Sequence, residues 1–164
     1  MNLDRDTSMK SPENLKNIKY MKAALIEAQK AFKKDEVPVG AVVVYRDKII
    51  ARAHNLRESQ QQFHGHAEFL AMMKAAKKIG SWRLEDCDVY VTLEPCSMCA
   101  GAMVQARIRK VYYGAKDSKS GAIDSIFNMF DIKFNHHVES EGCILEEESE
   151  LLLKSFFKTL RTKK

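Results

Sequence analysis

Two short motifs hold the side chains best suited to chemistry in this chain: His66-Ala67-Glu68 and Pro95-Cys96-Ser97-Met98-Cys99. Two cysteines three positions apart on the first turn of a helix can grip one metal ion. A histidine from a neighbouring helix completes a three-ligand face, and zinc held that way keeps its fourth position for water, the arrangement of a catalytic site. Each motif stands where a helix is predicted to begin. Free backbone N–H groups and the positive end of the helix dipole gather there and favour the thiolate that a metal needs. Glu68 lies two residues after His66, near enough to reach the water without ligating the ion. A carboxylate so placed takes the water's proton and leaves hydroxide near neutral pH, which can attack a ring carbon bearing an amino group. Glu68 would protonate the adjacent ring nitrogen first and the departing ammonia later.

Each motif alone has a plainer reading. A lone C-x-x-C suits a redox pair or half of a structural zinc site. The other cysteines make a four-thiol site conceivable, but Cys87 precedes a strand in Glu85-Asp86-Cys87-Asp88 and Cys143 has no close partner. His-x-Glu is common at helix starts. Both motifs together, in this order, 30 positions apart and each opening a helix, favour the catalytic metal.

The elements that must position these residues follow from local patterning. Residues 1–14 form a polar leader, and 15–164 suit one domain. Ser11-Pro12 reads as a helix cap and first position. Leu15, Ile18, Met21, Leu25, Ala28 and Phe32 mark one buried helix face up to Lys34. The apolar run 39–45 predicts a strand buried on both faces, and Arg46-Asp47-Lys48 turns it into a second strand at 49–54. A polar loop over 55–65 leads to a helix over 66–79, ended by Gly80. A strand at 89–93, a helix over 96–106 and a strand at 110–114 follow. The stretch 115–135 gives little pattern beyond a short helix near 126–130. An edge strand at 137–141 and a helix from 146 to 158 or beyond end the chain. Alternating β and α elements after a hairpin predict a three-layer α/β/α sandwich on a five-stranded mixed sheet.

Composition bounds the setting. With 164 residues, 45% hydrophobic and 30% charged, the chain has the make-up of an ordinary globular domain. No apolar run is long enough for a bilayer, and Met1–Lys10 is too polar for a signal peptide. A cytoplasmic protein with reduced thiols is therefore expected. The net charge of +5 suits a polyanionic partner such as RNA without requiring one.

The spacing H-x-E…P-C-x-x-C is that of zinc-dependent base deaminases. Further blocks carry a closer likeness: Asp35-Glu36-Val37-Pro38-Val39-Gly40, Ala53-His54-Asn55, Ser81-Trp82-Arg83-Leu84 and Tyr90-Val91-Thr92-Leu93-Glu94-Pro95-Cys96. Others are Val111-Tyr112-Tyr113-Gly114-Ala115-Lys116-Asp117, Asn135-His136 and Phe156-Phe157-Lys158. With these the chain resembles the bacterial tRNA-specific adenosine deaminases over roughly residues 15 to 161. The resemblance implies a cytidine-deaminase-like fold, one zinc per subunit, a homodimer, and conversion of adenosine to inosine at the wobble position in a tRNA anticodon stem-loop. It implies that Asn55 and the backbone around Ala67 hold the flipped purine, and that Asp117, Lys119 and Asn135 lie near the anticodon strand. The C-terminal basic residues would flank the tRNA stem. Met98, Met103 and Val104 could serve a dimer face or simply the core. Relatives usually carry Pro-Thr-Ala before His-Ala-Glu, whereas Phe63-His64-Gly65 stands here. The metal motifs alone would also admit a deaminase of a free base or nucleoside such as guanine or cytosine. A non-catalytic zinc-stabilised RNA-binding module is a further alternative, against which Glu68 stands.

Overall fold

A computed structural model of the chain describes residues 11–163. Helix α1 spans Pro12–Lys33, with Ser11 as its cap accepting the Asn14 N–H at 3.2 Å. Pro12, Glu13 and Asn14, inside the predicted leader, thus form the first helical turn. Residues 1–10 of that leader lie outside the described residues. Strands β1 (Gly40–Tyr45) and β2 (Lys48–His54) form the predicted hairpin. Arg46 and Asp47 both take positive φ in its tight turn, which matches the right-handed twist of paired strands. A short helix α2 (Arg57–Gln60) interrupts the polar loop, followed by α3 (Ala67–Ile79), β3 (Cys87–Leu93), α4 (Ser97–Ala106) and β4 (Lys110–Ala115). Strand β5 (Glu139–Glu141) and helix α5 (Glu146–Thr162) complete the order.

The five strands lie in the order β2-β1-β3-β4-β5. β1 runs antiparallel to both β2 and β3, while β3, β4 and β5 are parallel to one another, so the sheet is mixed as expected. Parallel neighbours need a crossover, and α4 supplies the one from β3 to β4. On one sheet face Tyr20, Met21 and Ala24 of α1 pack on Val42, Val44, Tyr90 and Tyr112. On the other, Ala71 and Met72 of α3 and Met103 and Val104 of α4 pack on Val43, Val89, Val91 and Val111. Helix α5 joins the α1 side, its Phe156 ring meeting Phe32 edge-on at 5.6 Å. Three layers result. Met103 and Val104 therefore belong to the core and offer no dimer face. Among the described residues no helix is long and apolar enough to cross a membrane.

Two expectations differ from the structure. Helix α1 buries Tyr20, Met21, Ala24, Ala28 and Ala31, whereas Leu15 is 54% exposed and Ile18 and Leu25 are only partly covered. The helix turns its small residues inward because β1 comes very close. A Cβ built on Gly40 would lie 2.0 Å from the Ala24 carbonyl oxygen and 2.4 Å from the Ala28 nitrogen. The helix predicted near 126–130 shrinks to a single 3₁₀ turn at Met129–Asp131, because the backbone before it bonds elsewhere. Replacing Gly40 with Ala forces α1 off the sheet and should lower unfolding stability by about 1–3 kcal/mol, the usual penalty of overpacking. A urea midpoint equal to that of the parent protein would contradict this packing.

Candidate active site

His66 and Cys96 occupy equivalent positions on different helices. Each is the cap residue, in extended backbone, of the helix that follows: His66 of α3 and Cys96 of α4. Cys99 sits on the first turn of α4, buried against the core. The two helices lie side by side on one face of the sheet, and their starts meet beside the start of β1 and the end of β3. Nδ1 of His66 stands 3.5 Å from Sγ of Cys96 and 3.5 Å from Sγ of Cys99. The three donor atoms lie within 4.8 Å of one another. A tetrahedral zinc ion, with Zn–S near 2.3 Å and Zn–N near 2.0 Å, holds N and S about 3.5 Å apart. Donor chemistry and spacing both fit that ion.

The three side chains are electrostatically coupled. Hydrogen bonding from the Cys99 thiol, and then from His66, holds the Cys96 thiol at about 4 despite its burial. That thiolate raises the pKa of His66 through their hydrogen bond, and it pushes the Cys99 thiol up, an effect that burial reinforces. Glu68 is 3% exposed, and Cys99 Sγ donates to its Oε1 at 3.2 Å. Burial pushes this carboxyl up to about 7, with the nearby His66 charge opposing the rise. An acid–base group so poised can both take and give a proton near neutral pH. Cys87 lies in the core and Cys143 at the surface, and neither joins the cluster. The His64 ring stacks edgewise between Phe63 and Phe69, at 5.5 and 5.7 Å, instead of approaching the cysteines. Gly65, in place of the usual alanine, fits where a Cβ would be only 3.0 Å from the Arg57 backbone.

A cavity of about 180 Å³ opens onto His66, Glu68 and Cys96. Of the residues predicted to hold substrate, Asn55, Ala67 and Asp117 line it. The Asn55 side chain accepts the Arg57 N–H at 3.0 Å and donates to the Val37 carbonyl at 3.2 Å. The Asp117 carboxylate accepts from the N–H groups of Lys119 and Ser120 at 3.0 and 3.2 Å, which is turn chemistry. Lys119 lies instead along a separate groove with Lys154, Phe157 and Arg161 of α5, and Asn135 is exposed away from the cavity. Val37, Val39, Arg57, Leu93, Glu94 and Ser120 complete the wall. Sequence reasoning missed them as site residues, although Val37, Val39 and Glu94 lie inside the blocks that carried the resemblance.

With this geometry the comparisons are specific. The family of MafB19-like deaminases matches residues 15–161. A protein of Bacillus subtilis (strain 168) known as a tRNA-specific adenosine deaminase is 51% identical over 146 residues, covering 88% of this chain and 91% of its own. One of the same name from Aquifex aeolicus (strain VF5) is 48% identical, over 87% of this chain and 94% of its own. The chain belongs to the tRNA-specific adenosine deaminase family. A solved structure from a study of A-to-I editing by tRNA:A34 deaminases at the wobble position of transfer RNA superposes with a TM-score of 0.79. It is 42% identical and covers 82% of this chain and 98% of its own. The chain thus has the fold of these deaminases, and His66, Cys96, Cys99 and Glu68 all lie within the family's matched region. Alanine at His66, Cys96 or Cys99 should remove the metal, reducing about one zinc per chain to near zero by elemental analysis. Full zinc in the Cys99→Ala protein would move that ligand elsewhere.

Proposed function

We propose that this chain hydrolyses adenosine to inosine and ammonia at the wobble position of a tRNA anticodon, using one zinc ion per subunit held by His66, Cys96 and Cys99. The observation that carries the reading is the Glu68 carboxyl, buried 3.2 Å from a ligand sulfur at the floor of an open cavity. A closed structural zinc site has no use for such a group. When bound, zinc supplies Lewis acidity to a water at its fourth position. Glu68 accepts the proton that this water loses and passes it to the purine N1. It would then take the remaining proton from the hydroxyl added at C6 and deliver it to the amine, so that ammonia leaves and the C6 carbonyl of inosine forms. Its position near a pKa of about 7 suits both directions of transfer.

The remaining walls serve the base. Val37, Val39 and Leu93 offer apolar surface to a ring. Asn55 spends one amide hydrogen and one lone pair on the protein, which leaves one of each for a purine edge. A base must leave its stack before C6 can enter such a cavity, and a single-stranded loop has met most of that cost in advance. Beside the wall residue Ser120, Lys119 borders the groove where Lys154, Arg161 and Phe157 pair cationic with aromatic character, as flanking nucleotides require. A tRNA substrate places the enzyme in the cytoplasm.

A second copy of the chain is the partner that the family resemblance favours. Met73 and Trp82, 53% and 59% exposed, border an apolar groove between α3 and α4 together with Phe69, Ala102 and Ala106. Light scattering should find twice the chain mass, and Met73→Asp should yield monomers. An active wild-type monomer at assay concentration would refute the dimer.

Activity discriminates the function itself. The wild-type protein should form inosine in an anticodon stem-loop far faster than in free adenosine. Glu68→Gln should keep zinc yet turn over about 10²–10⁴-fold more slowly, the usual loss of a general acid–base. Deamination of guanine, cytidine or free adenosine with none of the stem-loop would assign the chain to small-molecule chemistry. Near-normal turnover by Glu68→Gln would remove that residue from the mechanism.

A further inference from the structure

We infer that Glu94 is a positioning residue, whose buried carboxylate clasps the backbone of residues 117–125 and thereby shapes the substrate wall beside the metal triad. Under the deaminase reading proposed above, that wall meets the base. Glu94 is 2% exposed. Its Oε1 accepts the Asp117 N–H at 3.1 Å and the Ser125 hydroxyl. Its Oε2 accepts the N–H groups of Ile123, Asp124 and Ser125 at 3.2, 2.9 and 3.0 Å. Hydrogen bonds to an ionised acceptor are about twice as strong as neutral ones, so these five bonds tie the loop firmly to one side chain.

Gly121 shows how closely the loop wraps the carboxylate. A Cβ at this position would lie 2.3 Å from both Cδ and Oε2 of Glu94, and 2.5 Å from the Asp117 carbonyl oxygen. The Ala122 N–H adds a bond to the Pro95 carbonyl at 2.9 Å. The clasp therefore holds both ends of the loop, and Asp117 at one end and Ser120 between them line the same cavity as His66 and Glu68. Glu94 precedes the ligand Cys96 by only one intervening residue, Pro95. One short segment thus supplies a metal ligand and the anchor of the opposite wall, which sets the distance between them. Glu94 does not touch the reacting atoms; it acts through the loop.

The variant Glu94→Gln keeps the shape but turns an amide N–H₂ toward a cluster of donors. Zinc content should remain at one per chain. Backbone hydrogen exchange at Asp117 and residues 123–125 should quicken. KM for the stem-loop should rise about tenfold or more, on the scale of one charge-assisted hydrogen bond, with kcat changing much less. Gly121→Ala pushes the loop off the Glu94 carboxylate and should give the same three results, which covers the case in which Glu94→Gln fails to fold. Loss of zinc from a folded Glu94→Gln protein would make Glu94 a support of the metal ligands and overturn the inference. Unchanged loop exchange, or a loosened loop with unchanged KM, would overturn it as well. If the wild-type protein ignores the stem-loop but deaminates a free base or nucleoside, the tRNA reading fails. The KM comparison is then made on that substrate, where the same rise supports the clasp. A protein inert toward all of them would sink both ideas.

Discussion

The imidazole of His66 and the thiols of Cys96 and Cys99 converge within 4.8 Å of one another, and most of the architecture serves that convergence. The ligands come from the starts of two helices, α3 and α4, that neither touch in sequence nor share a turn. Only a common support can hold two helix starts in register, and the sheet is that support. β1 and β3 sit centrally, apolar on both faces, with α3 and α4 packed on one side and α1 on the other. The close approach of α1 at Gly40 pins the hairpin from behind. Placing cap residues as ligands has an electrostatic advantage too, because helix N-termini stabilise the thiolate that binds metal.

The same economy governs the acid–base group. Glu68 lies one residue beyond Ala67 on the first turn of α3, so the helix that presents His66 also presents its proton carrier. Burial does the rest: removed from water, the carboxyl moves up to about 7 and becomes useful in both directions near neutral pH. Ligand and proton carrier thus owe their relation to helix geometry and their chemistry to the core behind them.

Backbone accounting explains the irregular segment from 117 to 125. Without strand or helix partners its N–H groups need other acceptors, and Glu94 provides them for Asp117, Ile123, Asp124 and Ser125. That is why this stretch shows no periodicity: its order is set by a side chain from another part of the molecule. Loops held in this way can form a precise wall without regular structure, and this one contributes Asp117 and Ser120 to the lining of the cavity beside His66, Glu68 and Cys96.

The clustering of His66, Cys96 and Cys99 with Glu68, the hairpin and the two helices α3 and α4 were legible in the sequence because each depends on local signals. Cap residues, apolar runs, Gly80 after α3 and the spacing of His66, Cys96 and Cys99 all act within a few residues of where they are read. What only the tertiary structure decided are the features set by distant neighbours. The buried face of α1 follows the proximity of β1, not its own large apolar residues, so Leu15 and Ile18 point away from the centre. Met103 and Val104 became core because the sheet lies beneath them. Asp117 spends its carboxylate on a turn, while Lys119 faces a groove with α5 and Asn135 stands apart from the cavity. Glu94 acquired its partners only when the chain returned to it more than twenty residues later. A hydrogen bond across that separation leaves no periodic trace along the chain, which is why folding had to reveal it.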